Sequence, residues 1–112
     1  MIVSPFATLG MGIVVQAYCI MAANSRIGDF VVMNAHSGVG HDAKIGEYTS
    51  VMSYCDVAGE ASLGSDCFMG SGAKVLPSIN VSNGAYLCAG SVVLRDVQQG
   101  VKVLGNPARV IG

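Results

Sequence analysis

The chain predicts an all-β fold, a parallel β-helix with the cross-section of a triangular prism, and two repeating columns carry that prediction. In the first, every sixth residue from Val3 to Val93 is aliphatic or Met, through Leu9, Val15, Met21, Ile27 and onward without a break. About a third of the residues are Val, Ile, Leu or Met, so a chance run of this length is on the order of one in 10^8. In the second, the residue four places after each aliphatic is small or β-branched, as in Ala7, Cys19, Ser25, Ser37, Ala43, Thr49, Cys55, Ala61, Cys67 and Ala73. A period of six fits neither the 3.6 of an α-helix nor the simple alternation of a strand. It is the period of a solenoid in which each hexad is a short strand plus a corner, with three hexads to a coil.

Each column has a physical role. The aliphatic points inward and the small residue two places before the next aliphatic points inward beside it. Gly10, Gly28, Gly40, Gly46, Gly64 and Gly70 follow the aliphatic directly, a place where unusual backbone angles are expected. Residues 3–98 make about five coils, and at about 4.8 Å per coil the prism is roughly 25 Å long. Residues eighteen apart then stack. The period fades after Asp96, so the domain is read as residues 1–98 of β-helix with a C-terminal tail over 99–112.

At 112 residues the chain is one domain with a core one side-chain layer wide. It is 52% hydrophobic and only 12% charged, about half the charged fraction of an ordinary soluble domain. The seven aromatics, Phe6, Tyr18, Phe30, Tyr48, Tyr54, Phe68 and Tyr86, all fall at outward phases. An apolar exterior predicts an oligomer that buries prism faces. A net charge of −1 gives no nucleic-acid or membrane footprint, and no apolar run reaches transmembrane length. Cys19, Cys55 and Cys67 occupy the inward column at spacings unsuited to a disulfide, and a reducing cytoplasm is expected.

Two segments carry a family resemblance. Residues 40–51, GHDAKIGEYTSV, and residues 88–111, CAGSVVLRDVQQGVKVLGNPARVI, resemble a His-acid motif and a C-terminal signature of the hexapeptide-repeat acyltransferases. The likeness is to their sugar O-/N-acetyltransferase branch, of the sialic-acid O-acetyltransferase and bacillosamine-type N-acetyltransferase kind. It implies a left-handed helix, a homotrimer with active sites between subunits, and acetyl-CoA as co-substrate. Members of that branch usually carry a nucleotide-sugar-binding domain before the prism. Here the hexads begin at residue 3, so a chain without that domain is expected, either excised or naturally short. Ser50 stands where some relatives have a histidine.

The site follows from stacking and from the resemblance together. His41 stacks in the column Pro5, Ala23, His41, Gly59, Pro77, Arg95, between an alanine and a glycine, which leaves room for a ligand. Acetyl transfer to an amine or hydroxyl needs a base, and imidazole suits that task near neutral pH. Asp42 matches the acidic residue of the motif and would orient His41. The Gly59 N–H could donate to the thioester carbonyl. The neighbouring small column Ala17, Ala35, Ser53, Ser71, Ala89 could border a thin ligand such as pantetheine. The resemblance places Gly59, Ser71 and Ala89 against acetyl-CoA, and Asn106, Pro107, Ala108 and Arg109 near its adenine end. His36, between Tyr18 and Tyr54 in its column, is read as a stacking or interface-packing residue.

A zinc carbonic anhydrase on this prism would need three histidines, and the chain has two; no metal is expected. An ice-binding face would need ranks of Thr, and only Thr8 and Thr49 are present. Antibiotic-inactivating relatives carry a looped-out excursion that the unbroken register lacks. The reading is an acetyl-CoA-dependent acetyltransferase for a small, sugar-like acceptor. The alternative is a catalytically silent trimeric scaffold, or a half-site completed by another domain.

Overall fold

A computed structural model describes residues 1–112. It contains strands and turns and no helix, hence none long and apolar enough to cross a membrane. Sixteen two-residue strands recur every six residues from Ile2–Val3 to Val92–Val93, each ending on the aliphatic of its hexad. They stack into three parallel sheets. Face A runs from Ile2–Val3 through Gly38–Val39 to Val92–Val93, face B from Thr8–Leu9 through Lys44–Ile45 to Asn80–Val81, and face C from Val14–Val15 through Ser50–Val51 to Tyr86–Leu87. Every register is eighteen residues: Val57 pairs with Val39 on one side and Val75 on the other.

The strands form because the two inward columns sit two residues apart, which is the alternation of one strand. Cys19 and Met21 are buried while Ile20 between them is half exposed. The polar members of the small column are buried with their hydroxyls satisfied. Ser37 Oγ donates to the Met52 carbonyl at 2.7 Å, and Thr49 Oγ1 donates to the Gly64 carbonyl at 2.7 Å. No buried side-chain N or O lacks a partner, so the narrow core carries no desolvation debt.

The corners overturn one expectation. Positive φ does not fall on the glycines after the aliphatics; it falls three places past the aliphatic, at Tyr18, Asn24, Phe30, His36, Asp42, Tyr48, Tyr54, Glu60, Asp66 and Ser78, with Gly12, Gly72, Gly84 and Gly90 continuing the series. A left-handed L-residue costs roughly 1–2 kcal/mol. The corner is held because its amide reaches the preceding coil, as when Asp42 N–H donates to the Ala23 carbonyl at 3.1 Å and Glu60 N–H to the His41 carbonyl at 2.9 Å. The glycines after the aliphatics are required for space instead. A β-carbon at Gly40 would lie 2.5 Å from Gly59 N, and one at Gly46 would lie 2.5 Å from Ser65 N.

The C-terminal segment stays on the prism. Val97 bridges Val81 in parallel. Lys102–Gly105 then extends face C beside Tyr86–Leu87 and folds back antiparallel on Ala108–Val110. Val103 is buried beneath this hairpin. These added strands help make the molecule 37 Å long, more than five coils alone would give.

Candidate active site

The edge between faces A and B carries His41. Its corner joins Gly38–Val39 to Lys44–Ile45. His41 Nδ1 lies 3.2 Å from Asp42 Oδ2, and no Lys or Arg of the chain is paired with a carboxylate. Both side chains are largely exposed, at 63% and 54%. Asp42 adopts φ 59°, which turns its carboxylate back toward the ring of its neighbour. The ring stands over Gly59: a β-carbon there would lie 2.6 Å from His41 Nε2. The imidazole therefore lies over the one residue that leaves it space.

The amides of Ala23, His41, Gly59 and Arg95 on this edge all lack a protein acceptor, and Gly59 is the one left uncovered by the coil before it. The residues directly after the aliphatic on this edge read Ser4, Ala22, Gly40, Ala58, Leu76 and Leu94. Only Gly40 is a glycine, and its missing β-carbon is the atom that would cover Gly59 N. A free donor thus sits beside His41 Nε2, the arrangement a developing oxyanion next to a base requires.

Ser71 and Ala89 lie elsewhere. They occupy the edge between faces C and A, before the face A strands rather than after them. About five residues of extended chain, roughly 15 Å, separate that edge from the His41 edge in one chain. Ala89 repeats the bare-amide geometry, since a β-carbon at Gly70 would lie 2.6 Å from Ala89 N and that amide has no protein acceptor. Ser71 has Met52 in the covering position. His36 is on this second edge too, stacked between Tyr18 and Tyr54 at 4.8 and 4.6 Å.

Toward the C-terminal end, Pro107, Ala108 and Arg109 line a cavity of about 270 Å³ together with Leu94 and Arg95. Asn106 is in the turn that leads into it. Arg95, which the eighteen-residue stacking puts in the His41 column, is the one member of this cavity's charged lining that the sequence reading does not single out. Face B carries two polar cavities, of about 580 and 400 Å³, and both are bordered by Asp42 and Lys44.

The thiols are not part of this chemistry. All four cysteines are free. Burial pushes the Cys55 and Cys67 thiols above their ordinary value, which disfavours the nucleophilic thiolate. No group of three or more His, Cys, Asp or Glu side chains is placed to hold a metal ion.

Comparison with known proteins bears on the fold as a whole. No family model matches the chain. PerB of Caulobacter crescentus, solved with CoA and GDP-perosamine, superposes with a TM-score of 0.97 at 35% identity, over 99% of this chain and 54% of that one. The acetyltransferase domain of PglB from Neisseria gonorrhoeae, solved with acetyl coenzyme A, gives 0.95 at 31% identity, over 97% and 53%. A yeast protein named "Putative acetyltransferase YJL218W" (Saccharomyces cerevisiae) is 42% identical over 36 residues, 32% of this chain and 18% of its own length. The chain spans about half the length of the solved structures it matches. Over nearly all its residues it carries the left-handed parallel β-helix of these CoA-binding proteins, and it resembles the sugar acetyltransferase branch of the hexapeptide-repeat acyltransferases.

Proposed function

We propose that the chain is the catalytic β-helix of an acetyl-CoA-dependent acetyltransferase that acylates an amine of a sugar-like acceptor. One observation carries this reading: His41, paired with Asp42, lies against Gly59, whose N–H is free and uncovered. Both solved relatives above are bound to CoA or acetyl-CoA, and PerB also to GDP-perosamine.

In this mechanism His41 Nε2 accepts the proton of the acceptor as its nitrogen or oxygen attacks the thioester carbonyl. Asp42 holds Nδ1 and so fixes the ring and its tautomer. Gly59 N–H donates to the oxyanion of the tetrahedral intermediate. Collapse breaks the carbon–sulfur bond, and the proton on His41 passes to the departing thiolate. A base in this role contributes about 10²–10⁴ in rate, and one oxyanion donor about 3 kcal/mol. The donor would run down the His41 column past Pro77, with Arg95 and Arg109 at its phosphates and the Asn106–Pro107 turn beside its adenine.

The chain works as a homotrimer in this reading. The His41 edge of one prism would meet the Ser71 and Ala89 edge of the next, closing the pantetheine groove between subunits. The exposed Tyr18, Ile20 and Tyr54 on or beside face A supply apolar area for such contact. Four free thiols suit a reducing cytoplasm.

Titration calorimetry of acetyl-CoA into the size-characterised chain, alongside turnover with amino sugars, tests the reading. Saturable binding near one site per chain is expected, with His41→Asn retaining binding and losing turnover. A folded trimer that binds no acetyl-CoA would instead be a silent scaffold or a half-site.

A further inference from the structure

Face B stacks two cations on one another. Arg26 and Lys44 are register partners, one coil apart, about 4.8 Å between strands. Like charges directly opposite on a sheet are destabilising. Neither is paired with a carboxylate. Face A treats its charges differently, with Asp56 in register with Lys74. Above and below the cationic pair the face B column continues with Thr8 and with Ser62 and Asn80, all hydrogen-bonding side chains.

The two face B cavities divide the charge. The one toward the N-terminal coils is bordered by Thr8, Asn24, Arg26, Asp42 and Lys44. The one toward the C-terminal coils is bordered by Asp42, Lys44, Glu60, Ser62 and Asn80. The N-terminal cavity sets Arg26 and Lys44 against the single carboxylate of Asp42, one oxygen of which faces His41 Nδ1, and so carries a net positive charge. The C-terminal cavity presents Glu60 on the coil of Gly59, where a protonated amine would be attracted.

We infer that Arg26 and Lys44 form an anion-binding fork that holds the acceptor by a phosphate or diphosphate group and directs its amine toward His41. This rests on the acetyltransferase reading for the identity of the acceptor. The geometry of the fork stands apart from it. A guanidinium and an ammonium one coil apart match two anionic phosphate groups, the guanidinium giving a bidentate contact and the ammonium a point charge. Binding an anion there also removes the like-charge repulsion, so the ligand stabilises the fold.

Pyrophosphate is the probe, titrated into the 112-residue chain by calorimetry and by heteronuclear NMR at low salt. Saturable binding is expected, with shifts centred on Arg26 and Lys44, a rise in Tm, and persistence when the chain is saturated with CoA. The Arg26→Gln/Lys44→Gln pair should weaken it at least tenfold while raising the Tm of the ligand-free protein. Inorganic phosphate binding at the same shifts as tightly as pyrophosphate identifies a sugar phosphate as the acceptor; markedly weaker binding identifies a diphosphate. Absence of saturable binding, unchanged affinity in the double variant, or displacement by CoA overturns the fork. The two readings separate cleanly. Loss of turnover in His41→Asn with an unchanged acceptor KM in Lys44→Gln sinks the fork alone, and pyrophosphate binding by a chain that never binds acetyl-CoA sinks the transferase alone.

Discussion

The chain has two histidines on two edges of one prism, and their surroundings separate them. His36 is itself in the left-handed corner conformation, with Tyr18 one coil above and Tyr54 one coil below, and both its ring faces are covered. His41 sits one place before such a corner, with Ala23 above and Gly59 below, and its Nε2 lies over bare backbone beside a free amide. Both are outward and both come from hexads of the same pattern. What distinguishes them is the side chain eighteen residues away. In a solenoid the functional neighbourhood of a residue is its column, and a glycine in that column does more for chemistry than a ring does.

Exchanging each ring for an amide breaks the comparison most sharply. His41→Asn should lower kcat by about 10²–10⁴. His36→Asn should leave the chemical step nearly intact, because asparagine tolerates the left-handed corner and His36 acts in this reading only through the packing of its edge against the next subunit. Steady-state kinetics on the two variants would reverse the assignment if their effects were exchanged. A smaller loss comes from filling the glycine. Gly59→Ala pushes a β-carbon against Nε2, and displacement of a catalytic group by about 1 Å costs up to about 100-fold. The exposed imidazole can swing away, so its thermal midpoint should barely move. A full loss of fold in Gly59→Ala would show that the backbone, not the ring, is crowded there.

The least effect lies on the stacked edge. Tyr54→Ala removes a ring contact at 4.6 Å and should cost about 0.5–1.5 kcal/mol by denaturant unfolding, with turnover falling only as far as the trimer contact weakens. Tyr54→Gly should cost less than Tyr54→Ala, since glycine relieves the φ of 59° that Tyr54 adopts. The opposite order would mean that the corner conformation carries no strain.

Much of the fold was legible in the residues. Met21, Val39, Val57 and Val75 are buried where the six-residue period puts them, because in and out alternate locally along a strand. The stacking of His36 and the seating of His41 over Gly59 follow from the same period, since a register of eighteen needs no more than three equal hexads. The corner conformation was not legible. The residues that adopt positive φ include Tyr, Asn, Phe, His, Asp, Glu and Ser, and no composition marks them. Their angle is imposed by an amide that must reach the coil above.

What the chain determined alone was therefore periodic: the prism, its two inward columns, and the partners each residue meets along the axis. Tertiary structure decided what depends on two coils or two edges at once. Whether Gly59 N–H is covered depends on residue 40, nineteen places earlier, and Arg95 shares a cavity with Arg109 only because the C-terminal hairpin folds back along face C. Ser71 and Ala89 lie on a different edge from His41 because face A stands between them. Local alternation can be read from neighbours in sequence; exposure of a backbone group is set by atoms that only closure of the coil brings near.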